Sequence, residues 1–316
     1  MTVQHDLPAG QPLYGCMGLG GSWDAAPYTA SDIAHAEAAV EAALDAGITA
    51  FDHADIYRRG KAEAVFGELL ARSPGLRERI VLQTKCGIRQ ADGGLPGMYD
   101  LRAPTIVRRV EESLTRLRTD VIDVLLLHRP DPLADPAETA EALTSLHRQG
   151  LVRRFGVSNM SAAQIAELRA HLDLPLVANQ LEMSLADRDW VEAGVLVNTS
   201  AATGNGFPHG TLEYCRAHDV RLQAWGALAQ GRFTGPDAGD SAAGRLVADL
   251  AERKRTTPET ILLWWLQRHP ARIAPVIGTT RPERILACRD AVAREPELTH
   301  EEWYELWVTA RGVPLP

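Results

Sequence analysis

Short apolar, β-rich runs alternate with amphipathic stretches along most of this chain. The runs span residues 13–19, 48–52, 80–85, 121–128, 152–158, 176–180, 220–225 and 273–277. Apolar residues recur at helical spacing in the segments 31–46, 61–71, 104–117, 137–148, 161–170, 208–218, 258–268 and 281–292. This alternation is typical of parallel βα units. Because eight such units can close without leaving a strand edge, the pattern predicts an α/β fold, a (β/α)8 TIM barrel.

No Pro-, Gly- or Ser-rich linker divides the 316 residues, so we expect one domain over residues 1–316. The last segment, THEEWYELWVTARG at 299–312, predicts an appended C-terminal helix that begins at Thr299. Its Trp303, Leu306 and Trp307 share one face, which we expect to pack on the barrel. Further caps or first-turn signals for helices are Ser31, Asp135, Ser161 and Thr257.

Composition excludes several classes of protein. The net charge of −8, with no basic block, argues against nucleic acid as a partner. No run reaches the roughly 18 apolar residues of a membrane span, and no signal peptide is evident, so we expect no membrane partner and a cytoplasmic protein. A closed barrel buries its own core, which favours a monomer. The cysteines lack CxxC spacing, so we expect buried, reduced thiols and no metal site: Cys16, Cys86, Cys215 and Cys288.

Two segments are too long for simple connectors, namely 87–104 and 184–208. Both follow predicted strands, so they emerge at the carboxyl-terminal face of the barrel, where βα loops build functional sites.

Four chemically active side chains fall at this same rim. Asp52 ends the second run, Tyr57 follows in the next loop, Lys85 ends the third run and His128 ends the fourth. Taken singly, each has an ordinary alternative: a turn or cap for the aspartate, surface packing for the tyrosine, a core position for the histidine. Lys85 is the hardest to explain as ordinary, because a lysine is almost never buried without a partner. Asp52 on the adjacent strand can be that partner.

This set suits proton transfer to an oxygen. A phenol has a pKa of about 10, and a neighbouring ammonium is expected to lower it toward neutral pH. Asp52 would keep Lys85 charged, and His128 would donate a hydrogen bond to a carbonyl. His53, by strand alternation, is expected to point away from the barrel interior.

The motifs FDHADIY, VLQTKCG, LLLHRPDP, FGVSN and NQ together resemble those of the aldo-keto reductase superfamily, over residues 13–311. The resemblance implies a catalytic tetrad of Asp52, Tyr57, Lys85 and His128. It implies that a nicotinamide cofactor gives a hydride to an aldehyde or ketone while Tyr57 gives the proton, and that the reverse reaction oxidises an alcohol. The N-terminal hairpin found in many members is expected to be short here, since only about a dozen residues precede the first run.

The resemblance also implies a cofactor site. Ser158, Asn159 and Gln180 would bind the nicotinamide carboxamide, and Trp225 would stack on its ring. The remaining implied contacts are Gly20, Gly21, Gly226, Leu228, Gln230, Arg232, Gly278, Thr279, Thr280, Arg281 and Arg284. Because Arg281 and Arg284 can grip a ribose 2′-phosphate, NADP(H) is predicted rather than NAD(H).

Two other functions stay open at this point. The same fold could serve as an NADP(H)-binding regulatory or sensor protein with weak turnover, and Lys85 could act as the Schiff-base nucleophile of an aldolase. For the substrate, Trp23 and Arg129 are the candidate pocket residues, with Arg58, Tyr99, Trp190 and Phe207 as weaker ones. Such a wall would suit a polar carbonyl, ring-bearing or sugar-like.

Overall fold

The computed structural model describes residues 10–92 and 94–316. The strands in these residues are β1 Leu13–Gly15, β2 Ala50–Asp52, β3 Val81–Cys86, β4 Ile88–Arg89, β5 Met98–Tyr99, β6 Ile122–Leu127, β7 Val152–Ser158, β8 Leu176–Glu182, β9 Arg221–Trp225 and β10 Ala274–Ile277. All but β4 and β5 are parallel and close into a barrel in the order β1, β10, β9, β8, β7, β6, β3, β2. The predicted TIM barrel is confirmed, and each predicted run overlaps one barrel strand, although β3 and β8 extend past the ends of their runs.

The helices of the described residues surround this barrel. They are α1 Ala30–Asp45, α2 Lys61–Arg72, α3 Ala103–Leu117, α4 Pro136–Arg148, α5 Ala162–Arg169, α6 Asp189–Val195, α7 Thr211–Ala217, α8 Ala242–Lys254, α9 Pro258–Gln267, α10 Pro282–Leu286, α11 Asp290–Ala293 and α12 His300–Arg311. The sequence prediction omits α6 and α8, and it treats 281–292 as one helix where the structure has α10 and α11.

The predicted helix caps are confirmed at four helices and wrong at one. Asp135, Ser161, Thr257 and Thr299 each accept a hydrogen bond from a backbone N–H of the first turn. Helix α1 is capped by Thr29 instead of Ser31. The reason is the capping box that Thr29 forms with Asp32, since three residues after Ser31 the chain has only Ala34.

Side chains inside the barrel change from apolar to polar along the strand direction. An apolar cluster fills the lower interior and consists of Leu13, Ala50, Val81, Val124, Leu126, Ala178, Ala274 and Val276. Because side chains alternate in a strand, Gln83 and Lys85 follow Val81 on the inner face of β3. Asp52 pairs in register with Gln83, and Gln180 with Gln223. Polar groups therefore collect at the carboxyl-terminal mouth.

The appended helix α12 packs against the outer helices. Trp303 stacks on Trp265 of α9 with ring centroids 5.2 Å apart. Each indole N–H of this pair donates to the backbone carbonyl of the other residue, at 3.1 and 2.8 Å. Trp190 of α6 meets Trp265 edge-on at 5.3 Å and is only 1% exposed. The interpretation of Trp190 as a pocket residue is therefore wrong, because it belongs to the packing under α12.

Three further expectations concern the chain as a whole. The four cysteines are buried and free, as expected. None of the helices in the described residues combines the length and the apolar character that a membrane crossing requires. The prediction of a short N-terminal hairpin falls mainly on residues 1–9, which lie outside the described residues.

Candidate active site

Two adjacent strands bring a buried ion pair to the barrel mouth. Asp52 ends β2, and Lys85 lies near the end of β3. Lys85 Nζ donates to the two carboxylate oxygens of Asp52, at 2.8 and 2.7 Å, while the residues are 1% and 2% exposed. The same ammonium donates to the backbone oxygen of His53 at 2.9 Å. Since burial removes both charges from water, each depends on the other and on these hydrogen bonds.

Tyr57 is placed beside this pair by a tight turn after β2. Its backbone N–H donates to Ala54 O at 3.0 Å, and Lys85 Nζ donates to its hydroxyl oxygen at 3.2 Å. Arg58 and Arg59, the next two residues, both take left-handed backbone angles, with φ of 51° and 59°. Such angles are costly for residues with a Cβ, so the turn that directs the phenol is strained.

His128 comes to the same place from the end of β6. Its backbone N–H donates to Cys86 O at 2.8 Å, and its ring faces Tyr57 edge-on with centroids 6.0 Å apart. Burial holds the pKa of His128 well below its usual range, and the positive charges of Lys85 and Arg129 lower it further. His128 is therefore a neutral imidazole at pH 7.

The charges at the mouth correct one sequence-based expectation. Burial raises the pKa of Tyr57 above 10, and this effect exceeds the lowering by the Lys85 ammonium. The expectation that Lys85 brings this pKa down toward neutral pH is thus wrong for the protein without a ligand. Burial by itself would lower the pKa of Lys85, but the Asp52 carboxylate and the contact with Tyr57 raise it above its ordinary value. Lys85 is a stable cation.

These side chains open into one large cavity of about 860 Å³. Asp52, Tyr57 and His128 line it, and Lys85 reaches it through Asp52 and Tyr57. The predicted cofactor residues that also line it are Ser158, Asn159, Gln180, Trp225, Gly226, Leu228, Gln230, Arg232, Gly278, Thr279 and Arg284. The structure therefore brings most of the predicted site residues to a single space.

Hydrogen bonds fix the polar side chains next to His128. Ser158 Oγ donates to the backbone oxygen of Gln180 at 2.9 Å. Asn159 Nδ2 donates to Ser158 Oγ at 2.8 Å, while Asn159 Oδ1 accepts from the indole N–H of Trp225 at 3.2 Å. This bond holds the ring of Trp225 at the cavity wall and the side-chain amide of Asn159 beside the ring.

Arg284 lies in the cavity wall, on helix α10 after strand β10. Its Nη2 donates to Thr234 Oγ1 at 2.7 Å and to a carboxylate oxygen of Glu259 at 3.2 Å. It also lies close to Gly231, where an added Cβ would be 3.4 Å from Nη1. The Arg284 guanidinium therefore lies beside the 226–232 loop, with its Nη2 already hydrogen-bonded.

Other predicted cofactor residues do not line this cavity. Arg281 is exposed and paired with Glu283 at 2.6 Å. Thr280 packs against Gly18, where a Cβ would be 2.6 Å from its methyl carbon. Gly20 and Gly21 pack against α2 and α1, and both have positive φ.

The candidate substrate residues divide in the same way. Trp23 and Arg129 line the main cavity. The guanidinium of Arg58 lies over the indole ring of Trp23, 5.2 Å from its centroid. Phe207 lines an adjoining cavity of about 430 Å³ that shares Arg129 with the first. Tyr99 is 42% exposed and lines neither space.

The structure confirms the predicted orientation of His53 and adds residues that sequence reasoning missed. His53 packs edge-on against Phe66 of α2, with centroids 4.6 Å apart, so it faces the helix layer. Gln83 and Gln223 are buried inside the barrel, and Glu182 lines both cavities. The sequence offered a signal for the two glutamines. Gln83 lies two residues before Lys85, and Gln223 lies two residues before Trp225, so by strand alternation each glutamine points to the same side of the strand as the predicted site residue.

Known proteins are similar in sequence to this one over nearly its whole length. The sequence pattern of the Aldo/keto reductase family matches residues 13–307. A 6-dehydroglucose reductase of Agrobacterium fabrum is 36% identical over 317 residues, covering 99% of this chain and 98% of that protein. An uncharacterized oxidoreductase of Bacillus subtilis, YcsN, is 37% identical over 283 residues, covering 88% of both chains.

A solved structure agrees with the barrel described above. An aldo-keto reductase from Klebsiella pneumoniae, crystallised in complex with NADPH, superposes with a TM-score of 0.72 at 27% sequence identity. The match covers 98% of this chain and 92% of that protein.

Proposed function

Since this chain belongs to the aldo/keto reductase family, we propose that it is an NADP(H)-dependent oxidoreductase that reduces an aldehyde or ketone to an alcohol and catalyses the reverse oxidation. One observation carries the proposal. Lys85 Nζ donates to Tyr57 Oη at 3.2 Å while Asp52 holds the same ammonium at 2.7 Å. A phenol supported by a buried cation, at the floor of a large cavity, is suited to give a proton to an oxygen.

The proposed steps divide between the cofactor and the protein. When bound, the cofactor would supply a hydride for the carbonyl carbon. Tyr57 Oη gives its proton to the carbonyl oxygen, so that the product is an alcohol and the tyrosine is left as a phenolate. The Lys85 ammonium stabilises this phenolate until it regains a proton, and neutral His128 donates a hydrogen bond that orients the carbonyl oxygen. The raised pKa of Tyr57 means that it is protonated and ready to act at pH 7.

The cavity wall fits a nicotinamide dinucleotide. Gln180 Oε1 accepts no hydrogen bond from any described residue, which leaves it available to a carboxamide N–H. Trp225 offers a flat ring, and the 226–232 loop with Gly278 and Thr279 offers backbone N–H groups for phosphates.

We assign the ribose 2′-phosphate to Arg284, which stands in the wall. Arg281 would have to leave Glu283 to take part. The related Klebsiella pneumoniae protein was crystallised with NADPH, which supports the choice of NADP(H).

An aldolase mechanism is not supported by the same geometry. A lysine that forms a Schiff base must first be neutral. Lys85 is instead held as a cation by Asp52 and Tyr57.

For the substrate, we propose a polyhydroxylated, sugar-like carbonyl. Glu182, Asp187 and Arg129 are charged groups that line both cavities, and they suit hydroxyl groups better than an aliphatic chain. The relative from Agrobacterium fabrum is named for such a substrate.

The test follows NADPH absorbance with a panel of sugar-derived and aliphatic aldehydes, using the wild type and Tyr57→Phe. We expect turnover with the wild type, highest for the sugar-derived aldehydes, and a loss of about a hundredfold or more in kcat for the variant. Tyr28→Phe is the matched control, because the Tyr28 hydroxyl bonds only Glu68 among the described residues. Wild-type kcat in Tyr57→Phe would refute the acid assignment, and a preference for long aliphatic aldehydes would refute the substrate class.

A further inference from the structure

A chain of buried amides crosses the barrel from Asp52 to the cavity wall. Gln83 Nε2 donates to Asp52 Oδ1 at 2.6 Å. Gln83 and Gln223 then bond each other reciprocally, with both N–H···O distances at 2.9 Å. Gln180 Nε2 donates to Gln223 Oε1 at 2.8 Å. The glutamines are 0%, 1% and 2% exposed in the order Gln83, Gln223, Gln180, so water does not compete for these bonds.

The charge of Asp52 determines which way each amide in this chain of hydrogen bonds is oriented. Asp52 is paired with the Lys85 ammonium, and an ionised carboxylate can only accept hydrogen bonds. Gln83 must therefore turn its NH₂ group toward Asp52, which leaves its carbonyl oxygen for Gln223. Gln223 meets that oxygen with its own NH₂ and presents its carbonyl oxygen to Gln180. Gln180 must then donate inward, so its carbonyl oxygen faces the cavity.

The opposite orientation of Gln180 is disfavoured inside the barrel. A flip would place two carbonyl oxygens, of Gln180 and Gln223, against each other at the present 2.8 Å contact. One buried hydrogen bond would be lost without replacement, which shifts the equilibrium between the two orientations by about fivefold or more. Relief would require Gln223 and Gln83 to flip as well, and that would turn a carbonyl oxygen toward the Asp52 carboxylate.

We propose that Gln83 and Gln223 are positioning residues that transmit the charge of Asp52 to Gln180, so that Gln180 accepts a hydrogen bond from the NH₂ group of the nicotinamide carboxamide. Neither Gln83 nor Gln223 lines the cavity, so both act through the residues they bond. The inference rests on the proposed function, because it concerns the cofactor that the function requires. Asp52 thereby has a second role, since besides holding Lys85 it selects the face that Gln180 shows to the cofactor.

The test compares the binding of two ligands by titration calorimetry, without turnover. One is NADP⁺, and the other is its 3-acetylpyridine analogue, in which a methyl group replaces the carboxamide NH₂. The wild type should bind NADP⁺ about fivefold more tightly, because only NADP⁺ can donate to Gln180 Oε1. In Gln83→Met and Gln223→Met the orientation of the Gln180 amide is no longer imposed by Asp52. The dissociation constants of the two ligands, NADP⁺ and its analogue, should therefore become nearly equal, with a ratio close to one.

Two further variants serve as controls for this binding comparison. Gln267→Met is the matched control, since Gln267 is also buried but donates to Gly10 O and Ala291 O, away from this chain; its ratio should equal that of the wild type. Gln223→Glu keeps an oxygen that accepts from Gln180, so it should preserve the wild-type ratio even if a methionine variant does not fold.

Two results would overturn the inference: a wild-type ratio in folded Gln83→Met and Gln223→Met, or a ratio near one in Gln223→Glu. The failure of the wild type to bind NADP⁺ at all would instead refute the proposed function. The two failures are therefore distinguishable.

Discussion

At the scale of single residues, Tyr57 is held by backbone angles that most residues avoid. Arg58 and Arg59 both lie in the left-handed region, at a cost of about 1 kcal/mol each. Two contacts offset this cost: Arg58 Nε donates to Met17 O at 3.1 Å, and its guanidinium covers the ring of Trp23. The turn that aims the phenol therefore depends on the first loop of the barrel.

The meeting of Asp52, Tyr57, Lys85 and His128 at one end of the barrel could be predicted from the sequence, whereas the balance of their charges could not. Strand ends in a closed barrel meet at one rim, so Asp52, Lys85 and His128 could be brought together from the order of strands. The pKa of Tyr57 depends on how completely the turn buries it, and burial outweighs the Lys85 charge. That competition depends on distances that motifs do not encode.

Asp55 gives a prediction about stability and pH. Its pKa is raised from 3.8 to about 7, mainly by burial and also by the charge of Glu63, while Arg109 at 3.5 Å only partly opposes them. A carboxyl with a raised folded-state pKa contributes stability that is complete below pH 4 and is lost as pH rises through 7. From 1.36 kcal/mol per pKa unit, we expect a loss of up to about 4 kcal/mol in the free energy of unfolding across this range.

Urea unfolding measured between pH 4 and 8 checks this expectation. Asp55→Asn cannot ionise, so its free energy of unfolding should vary less with pH than that of the wild type. Asp240→Asn, at an exposed position, should keep the wild-type dependence. An identical pH dependence in Asp55→Asn and wild type would show that Asp55 is ionised throughout.

At the scale of elements, patterning predicted the strands well and the helices less well. Every barrel strand overlaps a short apolar or alternating run of the sequence. Helix α8 was missed although Ser241 caps it and Val247, Leu250 and Ala251 form a buried face. It was missed because it adds a helix between β9 and α9, beyond the one per strand that the repeat predicts.

The cap of α12 gives a prediction for an element. Thr299 accepts a hydrogen bond from Glu302 N at 3.2 Å, and Glu302 accepts one from Thr299 N at 2.9 Å. We expect Thr299→Ala to lower the free energy of unfolding by about 1 kcal/mol, while Thr299→Ser, which keeps the hydroxyl, should change it little. Denaturant unfolding followed by tryptophan fluorescence measures both. Equal losses in the two variants would mean that the threonine methyl, rather than the cap, stabilises this end.

At the scale of the whole molecule, cofactor binding should stabilise the folded barrel. At a concentration of 100 times its Kd, NADPH should add about 2.7 kcal/mol, which corresponds to a rise of roughly 5 °C in Tm for a chain of this size. NADH at the same concentration should give less than half of this rise, because it lacks the 2′-phosphate assigned to Arg284. Differential scanning fluorimetry compares the two, and Arg284→Gln should narrow the difference between them. Equal shifts in the wild type would contradict the preference for NADP(H).

The adjoining cavity has a consequence for how this molecule can change. Its wall includes Phe207 and other residues of the 184–208 segment, whereas Asp52, Lys85 and His128 stand at the ends of barrel strands. In the proposed function, substrate recognition and chemistry are therefore built from separable parts of the chain. Natural drift or laboratory evolution can redraw the shape of that wall and recruit new carbonyl compounds, while the proton donor and its supporting cation keep their places.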